Sequence, residues 1–139
     1  MNSQAKKIAN KLIDCFKRGN KVLVMGNGGS AQMSNHLVAE LVHEGYPAIS
    51  LNSDTIIITA LANDYSFKEA FAKQIKALGK NGDILIGLST SGKSKNILSA
   101  YKVAKKIGLE IIDFPKRGNT SSCQEYQLRL LHQVWKYLK

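Results

Sequence analysis

Two residues able to move protons or hold a metal ion stand one helical turn apart, just after a glycine-rich turn. The compact apolar run at 21–25 leads into Gly26-Asn27-Gly28-Gly29-Ser30, and a helical stretch with His36 and Glu40 follows. Glycines let backbone N–H groups approach an anion closely, and a helix N-terminus adds partial positive charge. The i, i+4 spacing of His36 and Glu40 points both side chains the same way. One short stretch thus offers an oxyanion cradle beside a carboxylate–imidazole pair, which suggests chemistry on a small phosphorylated molecule.

A second polar loop adds to this reading. Ser89, Thr90, Ser91 and Ser94 place four hydroxyls ahead of a predicted helix whose first N–H groups are free, a good seat for phosphate. Each candidate also has a plainer reading. Ser94 can serve simply as a helix N-cap. His36 can be a capped or core histidine, and His132, near Trp135, can be part of ordinary amphipathic packing.

Two formal motif matches compete for the same loops. Gly26-x-Gly28-x-x-Ala31 fits a dinucleotide fingerprint, but Ser50, Leu51 and Asn52 stand where the ribose-binding acidic residue belongs. The segment from Gly87 to Ser94 fits G-x-x-x-x-G-K-[ST], with Asp113 as a conceivable metal-binding strand end. Only 45 residues follow Ser94, too few for a nucleotide-hydrolysing core, and that reading leaves His36 and Glu40 without a role.

The elements that must position these residues alternate along the chain. Apolar periodicity predicts helices over 3–18, 31–44, 68–78, 94–107 and 121–138, with a helix or turn at 54–61. Short apolar runs at 21–25, 47–51, 83–88 and 109–114 predict strands. Unalternating apolar strands between helices imply a parallel sheet buried on both faces, so the expected fold is a three-layer α/β sandwich. Ligands then bind beyond the carboxyl ends of the strands, where both polar loops lie.

Composition agrees with a single globular domain over 1–139: 44% hydrophobic and 22% charged residues, with no apolar run of the ~18 residues a membrane span needs. The start of the chain has no secretory signal pattern, and Cys15 and Cys123 match no zinc or redox spacing, so two reduced thiols in a cytoplasmic protein are expected. The net charge of +10 favours anionic partners, but the lysines are scattered over helix faces without interleaved aromatics, so nucleic acid is not the expected partner.

The ordered set Gly26-Asn-Gly-Gly-Ser30, His36-x-x-x-Glu40, Asn63-Asp64, Ser89-Thr-Ser-Gly-x-Ser94, Gln124-Glu125 and His132 resembles the phosphoheptose (sedoheptulose-7-phosphate) isomerases of the sugar isomerase, or SIS, superfamily. The resemblance implies a flavodoxin-like SIS fold and conversion of sedoheptulose 7-phosphate to D-glycero-D-manno-heptose 7-phosphate, an early step toward lipopolysaccharide precursors. It implies that Ser89, Thr90, Ser91 and Ser94 bind phosphate, and that Asn27, Ser30 and Asp64 contact the sugar or order the pocket. Glu40 and His132 become the acid/base pair. His36, Glu40, Gln124 and His132 match positions through which members of the family can bind zinc. A homotetramer with active sites between subunits is implied as well. A non-catalytic SIS protein that binds a phosphosugar or the replication initiator is the alternative, and the presence of both Glu40 and His132 favours the enzyme.

The chain departs from the family pattern at four places, the first being an abbreviated N-terminal helix. Family members carry a further helix and strand before the terminal helix; residues 109–115 read here as a splice across that segment, so the sheet is expected to be shortened near its last strand. Ser121 stands where the family uses an aspartate, and Lys93 replaces the usual asparagine.

Overall fold

The structure, a computed structural model, describes residues 3–139. Ile8, Leu12 and Cys15 form one apolar stripe along α1 (Ser3–Lys17), all three buried. Then come β1 (Val22–Gly26), α2 (Gly29–His43), β2 (Ala48–Ser50) and α3 (Thr55–Asp64). A short 3-10 turn at Phe67–Glu69 leads into α4 (Ala70–Leu78), β3 (Ile84–Leu88), α5 (Lys95–Ile107), β4 (Glu110–Asp113) and α6 (Thr120–Leu138). Asp54 caps α3 by accepting from Ile57 N at 3.1 Å, and Asn119 caps α6 by accepting from Ser122 N at 3.0 Å.

All pairings in the sheet are parallel, in the order β2-β1-β3-β4. This is the flavodoxin-like order, whose crevice opens between β1 and β3, where the winding reverses. The register sets Gly26 opposite Leu88, so the turn after β1 and the hydroxyl loop after β3 leave the sheet side by side at its carboxyl edge.

Alternating side chains send the core to both faces. Val22, Val24, Ile84 and Ile86 pack with Leu12, Leu37, Leu41, Phe114, Leu130 and Leu131, joining α1, α2 and α6 on one side. Leu23, Met25 and Leu85 pack with Phe71, Ile75, Ile97 and Ala104 of α4 and α5 on the other. Each large side chain so buried contributes about 1.5–3 kcal/mol. The expected three-layer αβα sandwich is the fold observed, with β4 following directly into the terminal helix through residues 114–119.

Asp83 holds the opposite edge of the sheet. Its carboxylate accepts from the Lys21 ammonium at 2.7 Å, from Lys21 N at 3.1 Å, from the Asn20 amide at 2.8 Å and from Lys80 N at 2.9 Å. Burial opposes the charge, but these donors together hold the carboxyl below its ordinary range. Cys15 and Cys123 are buried and unbridged, and burial pushes the Cys15 thiol up. No helix among the described residues is long and apolar enough to cross a membrane.

Candidate active site

The turn after β1 needs its glycines for two different reasons. Gly28 lies in the left-handed region at φ 56°, which side-chain-bearing residues rarely adopt. A Cβ on Gly29 would fall 2.5 Å from the Gln124 amide nitrogen, so the bare backbone here lets α6 close over the start of α2. Asn52 clamps the preceding residue, accepting from Gly26 N at 2.9 Å and donating to Gly26 O at 2.8 Å. The position that lacked a ribose-binding acid thus carries a structural amide. The dinucleotide reading fails here, because Gln124 covers the helix start where a pyrophosphate would sit.

On α2, the His36 Nε2 lies 3.4 Å from Glu40 Oε1. The His132 Nε2, delivered by α6, lies 3.2 Å from His36 Nε2, with the rings edge to face at 5.3 Å. One ligand atom from each of His36, Glu40 and His132 falls within 4.8 Å of the others. These three side chains, which the sequence places on two separate helices, therefore meet within one chain. A cleft of about 530 Å³ opens beside them, lined among others by Gly29, Met33, His36, Gln124, Leu128 and His132.

The donor set suits a tetrahedral cation. Zinc–nitrogen bonds of about 2.0–2.1 Å imply donor–donor edges near 3.3 Å. The His36–His132 and His36–Glu40 separations of 3.2 and 3.4 Å are of that size. Gln124, on the cleft wall, is the remaining predicted ligand.

The hydroxyl loop does not line this cleft but is tied to it. Ser89 Oγ accepts from Gly92 N at 3.0 Å and Ser91 Oγ from Lys93 N at 3.1 Å; the Ser91 and Ser94 hydroxyls lie 3.5 Å apart. Ser94 occupies the N-cap position of α5, yet its side chain makes no capping bond, leaving the hydroxyl turned to the loop's own polar cluster. Thr90 is half-buried between them. Asn27 and Asn96 exchange reciprocal amide hydrogen bonds at 2.9 Å, joining the first turn to α5. Asn27 is thus engaged in ordering the two loops. Ser30 is buried at the start of α2. Asp64 sits at the exposed end of α3, accepts from the neighbouring Asn63 amide, and is not part of the cleft.

Asp113 is equally committed elsewhere: the Tyr101 hydroxyl and the Lys116 ammonium both donate to it at 2.9 Å. Burial, reinforced by that carboxylate, pushes the Tyr101 hydroxyl far above its ordinary range. The nucleotide-hydrolase reading loses its metal-binding aspartate here.

Sequence reasoning passed over three amides that hold the site together: Asn52, Asn96 and Gln127. Gln127 is wholly buried and donates to Ser89 O and Pro115 O, both at 3.1 Å. The one signal for it was a glutamine interrupting the apolar stripe of α6.

The fold and the sequence are shared with known proteins. The SIS domain family matches residues 1–114. A phosphoheptose isomerase of Geotalea daltonii is 49% identical over 144 aligned positions, covering 87% of this chain and 75% of that protein. One from Thermodesulfovibrio yellowstonii is 48% identical over 121 residues, covering 83% of this chain; like the relative from Clostridium acetobutylicum, it is matched over 60% of its own length. The structure of phosphoheptose isomerase from Neisseria gonorrhoeae superposes with a TM-score of 0.93 at 31% identity, covering 96% of this chain and 84% of that one. With its fold, its matched residues and its relatives in agreement, the chain belongs to the SIS-domain family and, within it, to the phosphoheptose isomerases.

Proposed function

We propose that this chain interconverts sedoheptulose 7-phosphate and D-glycero-D-manno-heptose 7-phosphate by proton transfer through an enediol. The observation that carries the reading is the meeting of Glu40 with His36 and His132 inside 4.8 Å at the edge of a cleft. Ketose-to-aldose conversion breaks a C–H bond at C1, moves a hydroxyl proton between O1 and O2, and forms a C–H bond at C2. Glu40 is the base that takes the C1 proton, exchanges it with solvent while the enediol is bound and delivers a proton to C2, and His132 passes the oxygen-bound proton. Ser89, Thr90, Ser91 and Ser94, with the N-terminal N–H groups of α5, hold the phosphate. Asn27 and Ser30 order the cradle, and Gln124 contacts the sugar.

His36, Glu40, Gln124 and His132 are the residues that would hold zinc. When bound, zinc supplies Lewis-acid polarisation of the substrate carbonyl. Incubating the protein with sedoheptulose 7-phosphate, with and without zinc, and assaying for the aldose tests the reading. Aldose formation is expected; an unchanged ketose pool under both conditions refutes it.

We further propose a homotetramer in the cytoplasm, serving lipopolysaccharide precursor synthesis. The outward apolar face of α3 and the following turn supports self-association: Ile56, Ile57, Tyr65 and Phe67 are exposed, and α3 buries no residue within the chain. Such an assembly would also give Asp64 a route to a neighbouring subunit's cleft. Sedimentation equilibrium decides the number of subunits.

A further inference from the structure

Apolar packing carries α6 against α1 and α2, and its outer contacts are Tyr126 donating to Gln4 and Leu138 O accepting from Tyr46, neither of which reaches the loops of the site. A shift of one residue moves a helix about 1.5 Å along its axis and about 100° around it, enough to take His132 out of reach of His36. Gln127 is the sole buried polar side chain of α6 among the described residues, surrounded on its stripe by Cys123, Leu130, Leu131 and Val134. Its amide N–H groups reach Ser89 O in the hydroxyl loop and Pro115 O in the turn after β4, both at 3.1 Å. Its Oε1, also buried, has no partner among the described residues, so the amide is retained although its acceptor half is left unsatisfied.

We propose that Gln127 is a positioning residue that fixes α6 in the register at which His132 meets His36 and Glu40, and that locks this register to the hydroxyl loop. Ser89 serves both sides of the lock: its carbonyl receives Gln127 while its hydroxyl receives Gly92 N. Pro115, the other anchor, is the first residue beyond the match to the SIS domain. The helix that brings in His132 therefore lies beyond the residues matched by the SIS domain, and Gln127 ties it back to the hydroxyl loop inside that match. The kinetic consequence rests on the isomerase reading; the structural consequence does not.

The test compares wild type with Gln127→Met, which keeps length and apolar volume but has no N–H, and with Gln127→His, which retains a ring donor. Three quantities are read: melting, the nuclear Overhauser contact between the His36 and His132 rings, and kcat and KM for sedoheptulose 7-phosphate. For Gln127→Met, cooperative melting is expected, with the ring contact weakened and kcat lowered about tenfold at nearly constant KM; Gln127→His restores most of both. A Met variant with the ring contact and kcat of wild type overturns the proposal. Should that variant fail to fold, Gln127→Asn, whose shorter amide reaches at most one carbonyl, is read in the same way. Wild-type protein with the ring contact but no turnover refutes the isomerase reading, and the contact alone then decides the brace.

Discussion

His36 and His132 stand 96 positions apart in sequence and meet Nε2 to Nε2 at 3.2 Å. That contact joins a helix from the first third of the chain to its terminal helix, and it places two imidazoles within reach of one carboxylate, Glu40. Most of what the chain is expected to do depends on this junction.

Glu40→Gln removes the base while keeping the side chain's size and its place on α2. Turnover is expected to fall by at least about a hundredfold, the lower range for loss of a positioned general base, with KM little changed. Steady-state kinetics and a thermal melt check this: near-wild-type kcat contradicts the assigned role, and an unchanged melt shows that the fold is intact.

Ser91 and Ser53 offer a matched pair for the phosphate seat. Ser91 lies in the hydroxyl loop with its Oγ 3.5 Å from Ser94 Oγ, whereas the Ser53 hydroxyl donates to Ser50 O on the far side of β1. Loss of one hydrogen bond to a charged group costs about 1.5–3 kcal/mol, so Ser91→Ala is expected to raise KM roughly tenfold or more. Ser53→Ala should leave KM close to wild type. Equal effects on KM in the two variants contradict the seat.

Asp83 predicts how stability responds to acid. Its carboxyl is held below the ordinary range in the folded protein, so between the two values the unfolded chain binds more protons. The stabilisation is therefore complete above about pH 4, the unfolded carboxylate value, and is lost as pH falls through the lower folded value. Asp83→Asn should cost about 2 kcal/mol at neutral pH, since it leaves the partly exposed Lys21 without its partner, and should flatten the acid limb. Urea melts from pH 3 to pH 7 measure both effects.

The 3.2 and 3.4 Å separations of His36 from His132 and Glu40 make zinc binding an expected outcome of the proposed site. Titration calorimetry should detect one zinc per chain, and His36→Ala should weaken it by about a hundredfold or more. Wild-type affinity in that variant means that the triangle is not the metal site.

The sheet and its helices were legible because the physics behind them is local. Unbroken apolar runs such as 84–88 have few uses other than a strand covered on both faces. Boundaries were less legible. The second helix starts at Gly29, two residues before the periodicity suggested, because its first turn is held by backbone bonds to Asn27 O and Gly28 O that need no apolar side chain. The third helix runs to Asp64, past the expected end at 61, since Ala62, Asn63 and Asp64 include no strong breaker.

The candidate site was legible as a set of residue types, not as a place. His36 and Glu40 could be paired from their spacing, and His132 could be tied to them only through family resemblance. The bracing roles of Asn52, Asn96 and Gln127 were not legible because an isolated amide on a helix or in a loop ordinarily reads as solvated surface. Their partners are backbone groups or amides far away in the chain, such as Gly26 O, Asn27 Oδ1 and Ser89 O, and only the folded register reveals those.

The most direct test of the proton-transfer account is to run the reaction with sedoheptulose 7-phosphate in deuterium oxide and follow it by NMR. Wild-type protein is expected to give aldose carrying deuterium at C2, and neither Glu40→Gln nor His132→Ala should show comparable exchange. Wild-type protein that produces neither aldose nor exchange, or a Glu40→Gln variant that exchanges as fast as wild type, would contradict it.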